Sequence, residues 1–389
     1  MREFLAYLTL LISLSFPNFS EAADTVRFAI IGDYGNASQS ERDVSNLVMS
    51  WDPDFILTTG DNNYPHGSAS TIDENVGQLY HEFIFPYLGG YGAGANLNRF
   101  FPSLGNHDYD CDSCPQPYLD YFTLPGNERY YDFVLGPVHF FVVNSNTREP
   151  DGTDSSSVQA RWLRARILAS TKNLKFVYMH HPPYSSGPHG STTRMQWAYE
   201  EWGADAVIAG HDHDYERIVI DGFPYFVNGL GGRSKHSFST PIEGSEVRYN
   251  GDYGAMLVEV DNKRALFQFI NRSGEVIDIY VYHYLVDEAL PRTFFLQQNY
   301  PNPFNLSTTI QFSLPLRSRV TLVVYNLLGQ EVVRLVEGEY DAAYHSVMWH
   351  GENRFGEEVS SGLYLVRIEA RGLGGKLLFH QTRKITFLK

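Results

Sequence analysis

Short apolar runs that end in polar clusters recur along the first part of the chain and restrict its possible folds. Five of them occur in order: TVRFAIIGD, FILTTGD, FFPSLGNHD, LKFVYMHH and AVIAGHDH. Helix-like stretches lie between some of them, and this alternation predicts an α/β fold. Because the carboxyl ends of strands in an α/β sheet face one crevice, we expect the polar clusters to meet there.

One of the intervening stretches, SSSVQARWLRARILAS, carries a clear helix pattern. Its apolar residues recur at helical spacing: Trp162, Leu163, Ile167 and Leu168. Ser156 and Gln159 are three residues apart, as in a capping box. We therefore predict a helix capped by Ser156.

The pattern changes to mainly period two from Tyr215 to Tyr284, which is typical of antiparallel strands and hairpins. After Val286 a stretch rich in proline and asparagine marks a predicted domain boundary. The remainder has short strands and tight glycine turns, which favour a small all-β sandwich. The predicted divisions are a first domain at 23–286, a linker at 287–298 and a sandwich at 299–389.

The first residues have the pattern of an export signal. Arg2 is positive, the run from Phe4 to Phe16 is almost wholly apolar, and small residues near Ala22 offer a cleavage site. The alternative is a membrane anchor, but the apolar run is shorter than the roughly 20 residues that span a bilayer. We predict a signal peptide at 1–22 and no stable transmembrane segment.

The net charge of −15 bears on the possible partners of the chain. An acidic surface repels the phosphate backbone of nucleic acids, so we expect no nucleic-acid partner. A small anionic substrate is still compatible with the sequence if metal ions supply local positive charge.

The cysteines of the sequence, Cys111 and Cys114, lie in the run DCDSCP. In an exported chain this spacing favours a local disulfide that closes a very small loop. The alternatives are a zinc site, which needs two further ligands, and a redox site, which normally opens a helix after a strand.

The polar clusters contain donors of different chemistry. Each alone has an ordinary explanation, because Asp, Asn and Gly are common in turns. As a series they offer hard oxygen donors, which suit oxidised iron, and imidazoles, which suit divalent ions, so a mixed-metal pair fits best. His211 and His213 are one residue apart and could bind one ion or two neighbouring ions.

The motif series GDYG, GDNNY, GNHD, MHH and GHDH resembles that of the calcineurin-like metallophosphoesterase superfamily. The tyrosine in GDNNY resembles the purple acid phosphatase branch. The resemblance extends from about Val26 to Tyr284. It implies a four-layer α/β/β/α sandwich for this region.

The same resemblance implies two metal ions that share Asp61. One ion, expected to be ferric, is assigned to Asp33, Asp61, Tyr64 and His213. The other, expected to be divalent iron, zinc or manganese, is assigned to Asp61, Asn106, His180 and His211.

The resemblance also implies roles for histidines beside the ligands. His107 matches the position that contacts the phosphate and protonates the leaving alkoxide. His189 resembles a second active-site histidine. We expect His181 to be structural or supporting, and Asp108 and Asp212 to make loop hydrogen bonds.

The region from about Phe294 to Lys389 resembles the sorting domain of the bacterial type IX secretion system, in QNYPNPFNLSTTIQFSL, SSGLYLVRIEA and KITFLK. This implies the type IX machinery as a partner and a secreted or cell-surface location. The alternative is a carbohydrate-binding or purely stabilising sandwich.

The expected function is a secreted metal-dependent phosphatase that hydrolyses small phosphate monoesters with water. Cleavage of phosphodiesters or nucleotide pyrophosphates is the alternative within the superfamily. A third hypothesis is a surface binding protein on a degenerate enzyme scaffold, which predicts a missing ligand or a missing acid.

Overall fold

The computed structural model describes residues 25–284 and 290–389. The predicted signal peptide at 1–22 and the predicted boundary after Val286 lie outside these residues. No helix among the described residues is long and apolar enough to cross a membrane.

The helices are short. They are α1 (Gln39–Ser50), α2 (Gln78–Tyr80), α3 (Gln116–Tyr121), α4 (Val158–Ala169) and α5 (Tyr199–Trp202). Single helical turns of other types occur at Asp73–Gly77, His81–Phe83, His107–Tyr109 and Thr193–Met195.

Helix α4 confirms the predicted helix but not its predicted cap. Ser157 is the N-cap, and its hydroxyl accepts a hydrogen bond from the Ala160 N–H at 3.1 Å. The predicted N-cap in the Ser156–Gln159 capping box is therefore wrong by one residue, since the cap is Ser157. Gln159 is buried and its amide donates to the Asn144 carbonyl instead, because a tertiary contact competes with the local cap.

Thirteen strands within residues 25–284 form two sheets. They are β1 (Val26–Ile31), β2 (Phe55–Thr58), β3 (Phe100–Pro102), β4 (Tyr131–Leu135), β5 (Val138–Val142), β6 (Leu174–Tyr178), β7 (Ala206–Ala209), β8 (Tyr215–Ile220), β9 (Phe223–Asn228), β10 (Ser245–Tyr249), β11 (Gly254–Val260), β12 (Arg264–Asn271) and β13 (Val276–His283). The six-stranded sheet has the order β13-β12-β11-β1-β2-β3, and the seven-stranded sheet has the order β10-β8-β9-β7-β6-β5-β4.

The strands that precede the polar clusters run parallel within each sheet. In the six-stranded sheet β2 pairs in parallel with both β1 and β3, and in the seven-stranded sheet β6 pairs in parallel with β7. The predicted antiparallel pairing is confirmed for β8 with β9 and for β11, β12 and β13. The polar clusters therefore belong to the carboxyl ends of strands from two sheets, and not from one.

Aromatic side chains join the two sheets. The Phe140 ring of the seven-stranded sheet lies 5.2 Å from the Phe28 ring and 5.5 Å from the Phe55 ring of the six-stranded sheet, measured between centroids. All three side chains are almost fully buried. Burial of large aromatic rings is strongly favourable, so this contact fixes how the sheets stack.

The outer faces of the sheets are covered by helices. Successive residues of a strand point to opposite faces, and Phe141 accordingly packs with Leu163 and Ile167 of α4. Val44 and Val48 of α1 pack with the core of the six-stranded sheet. The predicted α/β/β/α order is therefore confirmed, although Leu168 of the predicted apolar face of α4 is exposed.

The C-terminal region is all-β, as predicted. Its strands are β14 (Phe295–Leu296), β15 (Thr308–Leu314), β16 (Ser318–Tyr325), β17 (Glu331–Tyr340), β18 (Ala343–Trp349), β19 (Gly362–Arg371) and β20 (Leu377–Phe387). They form sheets with the orders β14-β15-β18 and β17-β16-β19-β20, which share a core around Trp349. Strand β14 lies inside the predicted linker and pairs with β15.

The junction between the sheets of the first region predicts one stability effect. Phe140→Ala should lower the free energy of unfolding by about 3–5 kcal/mol, because it removes a buried ring and leaves a cavity. Val134→Ala on the neighbouring strand is the control, since Val134 is 45% exposed. Chemical denaturation measures both, and equal losses for the two variants would contradict the role given to Phe140.

Candidate metal centre

The predicted ligands lie together where the carboxyl ends of the strands in the two sheets meet. Each of them follows a strand: Asp33 after β1, Asp61 and Tyr64 after β2, Asn106 after β3, His180 after β6, and His211 and His213 after β7. The donor atoms of these side chains form two clusters.

The first cluster surrounds the Tyr64 hydroxyl. It donates a hydrogen bond to Asp61 Oδ2 at 2.8 Å and lies 3.4 Å from Asp33 Oδ1 and 3.2 Å from His213 Nε2. His213 Nε2 is also 3.4 Å from Asp33 Oδ1. Two carboxylates, a phenol and an imidazole thus converge on a volume that one cation could fill.

The second cluster surrounds His180 Nε2. This atom lies 2.9 Å from Asn106 Oδ1, 3.4 Å from Asp61 Oδ1 and 3.2 Å from His211 Nδ1. Asp61 therefore contributes one carboxylate oxygen to each cluster. His211 and His213 belong to different clusters, a choice that sequence spacing alone left open.

The electrostatics of the clusters favour cations. Asp33 and Asp61 are buried, and their ion pairs among the described residues are with His213 and His180 and not with Lys or Arg. Burial, with the nearby Asp61 carboxylate, raises the pKa of Asp33 well above its usual range. A bound cation offsets the free-energy cost of burying charged carboxylates, because it places positive charge beside them.

The imidazoles have the protonation state that a metal ligand needs. Burial lowers the pKa of His211 and of His213 to about 3, so both rings are neutral near pH 7. The His180 Nδ1–H donates to the Thr59 carbonyl at 2.8 Å, which leaves the Nε2 lone pair for the second cluster. The donor set therefore fits a pair of metal ions.

The backbone at the ligands is unusual. Asp33, Asp61 and His211 have φ values of 56°, 53° and 71°, in the left-handed region that non-glycine residues rarely adopt. Hydrogen bonds hold them there, since the His211 N–H donates to Asp33 Oδ2 and the His107 N–H donates to Asp61 Oδ1, both at 2.9 Å. Strain of this kind is typical of functional sites.

Close packing around Asp61 explains the glycine that begins the GNHD motif. A Cβ atom at Gly105 would overlap the backbone nitrogen and the Oδ1 atom of Asp61. The Gly105 N–H also donates to Asp108 at 2.8 Å. The glycine thus lets the loop that carries Asn106 approach the shared carboxylate.

The two histidines predicted to act on substrate lie beside the clusters. The His107 Nδ1–H donates to the Pro65 carbonyl at 2.6 Å, and the ring lies 4.4 Å from the Tyr64 ring. His189 is exposed, and its ring lies 4.3 Å from that of His211. Both imidazoles are placed where they could contact a group bound between the clusters.

The neighbours expected to play supporting roles make hydrogen bonds to the surrounding loops, and a ring nitrogen of His181 also lies within 4.8 Å of those of His180 and His211. The His181 N–H donates to Ser145 Oγ at 2.8 Å, and its Nδ1 lies 2.9 Å from the same hydroxyl. Asp108 accepts from the Asn62 N–H at 3.1 Å, and Asp212 accepts from the His189 N–H at 3.0 Å. These bonds connect the loops that carry the clusters.

Cys111 and Cys114 form a disulfide, as predicted. The bridge packs against the loop after Tyr64, where Cys114 Sγ lies 3.4 Å from the Gly67 carbonyl oxygen. It stabilises that loop locally. Among the described residues, the groups of side chains that could hold a metal ion do not include these cysteines.

The residues that follow β9 also contact the site, although the sequence motifs do not include them. Ser234 Oγ lies 2.6 Å from His213 Nδ1, and the His236 ring stacks on the His213 ring at 4.1 Å with an angle of 10°. His189, Asp212 and His236 also bring potential ligand atoms within 4.8 Å of one another. The run GLGGRSKH follows a strand and contains glycines and a histidine, and it is the sequence feature that could have indicated these residues.

Comparison with known families gives two matches. The calcineurin-like phosphoesterase family matches residues 26–215. The family described as a secretion system C-terminal sorting domain matches residues 298–375.

Purple acid phosphatases are among the similar proteins. Purple acid phosphatase 3 of Arabidopsis thaliana is 25% identical over 304 residues, which cover 66% of this chain and 78% of that protein. The structure of purple acid phosphatase PPD1 from yellow lupin (Lupinus luteus) seeds aligns with a TM-score of 0.53 and 18% identity, and covers 67% of this chain and 54% of that one.

A second similar structure is that of GAP50, described as the anchor in the inner membrane complex of Plasmodium. It aligns with a TM-score of 0.51 and 18% identity, and covers 68% of this chain and 90% of that one. At such identity the structural likenesses show the fold alone.

The family matches agree with the layered fold, the two donor clusters and the all-β C-terminal region. This chain carries a calcineurin-like phosphoesterase domain with purple acid phosphatases among its relatives, followed by a secretion system C-terminal sorting domain that indicates a secreted or cell-surface protein.

Proposed function

We propose that this protein is a secreted phosphatase of the purple acid phosphatase type, which hydrolyses small phosphate monoesters with water at a pair of metal ions. Phosphoesterase function follows from the family, and the relatives imply a dinuclear metal centre. The observation that carries the finer proposal is the pair of donor clusters that share Asp61.

The donors of each cluster suggest which ion it holds. Carboxylate and phenolate oxygens dominate the first cluster and favour Fe(III), with Asp33, Tyr64 and His213 completing the set around Asp61. An amide and two imidazoles dominate the second cluster and favour divalent iron, zinc or manganese. When bound, such cations neutralise phosphate oxygens and make water a stronger nucleophile.

His107 and His189 are the proposed catalytic residues of the chain itself. The hydrogen bond from His107 Nδ1 to Pro65 fixes the ring, so that Nε2 is the atom that exchanges a proton with the leaving alkoxide. His189 is exposed beside His211 and is placed to contact the phosphate. Neither role requires a covalent intermediate with the enzyme.

The sorting domain supports a proposal about export. We assign residues 1–22 to a cleaved signal peptide, 23–286 to the catalytic domain, 287–298 to a linker and 299–389 to the sorting sandwich. The type IX secretion machinery is then the partner that carries the protein across an outer membrane.

A non-catalytic role on the same fold is the contrasting hypothesis, since one similar structure is that of an anchor. A non-catalytic protein with this fold is expected to lack one of the metal ligands or the proton donor. Here the donor set is complete in both clusters, and His107 is present beside them. The enzyme proposal is therefore favoured.

Asp61→Asn tests the shared ligand. Asparagine keeps the size of aspartate and tolerates the positive φ, so the variant removes mainly the bridging charge. We expect a loss of at least about 100-fold in kcat/KM for a chromogenic phosphate monoester, together with loss of bound metal. Asp110→Asn is the control, because Asp110 is exposed and pairs with His66 outside the clusters. Full activity with both ions retained in Asp61→Asn would refute the proposal.

Tyr64→Phe tests the ferric assignment separately. The substitution keeps the buried ring and removes only the hydroxyl that reaches Asp33, Asp61 and His213. We expect the iron-loaded protein to lose the visible charge-transfer band that the purple acid phosphatase resemblance implies. Absorption spectra and iron content measure the effect, and an unchanged band in the variant would exclude Tyr64 as the ligand.

A further inference from the structure

The turn after β9 is fixed against the start of α1. The Gly231 N–H donates to the Gly32 carbonyl at 2.9 Å. The Gly232 carbonyl accepts from the hydroxyls of Ser38 and Ser40, at 3.2 Å and 2.7 Å. Gly232 has a φ of 144°, and a Cβ atom there would overlap the Glu41 backbone. The residues that follow Gly232 are therefore held in a defined position.

This turn presents side chains to the first donor cluster. The Arg233 N–H donates to the Asp33 carbonyl at 3.1 Å, and its guanidinium carbon lies 5.1 Å from the centre of the Tyr64 ring. The His213 N–H donates to His236 Nδ1 at 3.1 Å, so Nε2 is the His236 nitrogen that remains to donate to a ligand. Arg233 thus contacts the Tyr64 ring and His236 contacts the His213 ring, and both of those rings belong to the first cluster.

The charge of the Arg233 guanidinium is unpaired among the described residues. Its side chain is exposed, and within residues 25–284 and 290–389 it has neither a carboxylate partner nor a side-chain hydrogen bond. A guanidinium carries five N–H donors in a planar fork that matches carboxylates and phosphates. The chain has a net charge of −15, yet this arginine lies beside the proposed phosphate site with its backbone fixed by a hydrogen bond. Its side chain is therefore suited to bind an anionic group of a ligand.

We propose that Arg233 and His236 form a second anion subsite, which selects organic phosphates that carry another anionic group close to the ester. This inference rests on the proposed function, because it places the scissile phosphate between the two donor clusters. Arg233 supplies the charged fork and His236 supplies the Nε2–H. The His189 ring lies 5.2 Å from the His236 ring and so borders the proposed subsite.

A different role for Arg233 would be to stabilise the Tyr64 phenolate through the contact with its ring. That role affects every substrate equally and changes the visible band of the iron-loaded protein. The subsite instead changes the preference between substrates. The two roles therefore predict different measurements.

The test compares 2-phosphoglycerate with β-glycerol phosphate, which differ by a carboxylate in place of a hydroxymethyl group. We expect wild type to prefer 2-phosphoglycerate in kcat/KM. Arg233→Ala should reduce this ratio by about tenfold, because a hydrogen bond to a charged group contributes that much. His236→Gln should reduce it less, and Arg233→Lys should retain part of it.

Lys235→Ala is the matched control on the same turn. Lys235 has the same charge, but its ammonium donates to the Gly251 carbonyl at 2.6 Å and lies 5.6 Å from the centre of the Tyr253 ring. Its removal should leave the ratio unchanged. If Arg233→Ala leaves the ratio of kcat/KM unchanged, whether or not both values fall, the subsite is overturned.

Calorimetric binding of the hydrolysis-resistant phosphonate analogues of the two compounds to the metal-loaded protein gives a second readout that needs no turnover. A preference for the analogue of 2-phosphoglycerate that Arg233→Ala abolishes supports the subsite, and equal affinities contradict it. Absence of all phosphate-ester hydrolysis with both ions bound would instead defeat the proposed function. The two failures are therefore distinguishable.

Discussion

The Asp61 carboxylate, with one oxygen in each donor cluster, is the constraint on which the rest of the site depends. It is buried, and its backbone lies in the left-handed region at a φ of 53°. Gly105 must lack a side chain for the neighbouring loop to reach it. Burial of a charged carboxylate without Lys or Arg beside it costs free energy. A pair of cations bound at Asp61 offsets that cost with their positive charge.

The stacking of two sheets brings the ligands to Asp61. Asp33, Asp61 and Asn106 follow strands of one sheet, whereas His180 and His211 follow strands of the other. Neither sheet alone holds a complete cluster. The aromatic contact between Phe28, Phe55 and Phe140 therefore acts on function as well as on stability, because it sets the distance between the oxygen donors and the imidazoles.

Much of the fold and the candidate site could be predicted from the sequence, because the ligands follow apolar strands in short motifs whose spacing is local. The α/β/β/α order and the all-β C-terminal region followed from the pattern and the resemblance. Tertiary contacts decided the rest. Gln159 binds the Asn144 backbone and not its own helix end, and the division of His211 and His213 between clusters depends on side-chain direction. The turn with Arg233 and His236 was missed because its glycines contact α1, far away in sequence.

The proposed chemistry depends on two metal ions that share Asp61. Anomalous diffraction from crystals of the metal-loaded protein, collected on both sides of the iron edge, would locate these ions. We expect two metal peaks that both contact Asp61, an iron beside Tyr64 and a second ion beside Asn106. A single peak, or peaks that avoid Asp61 and lie at His189, Asp212 and His236, would contradict this proposal.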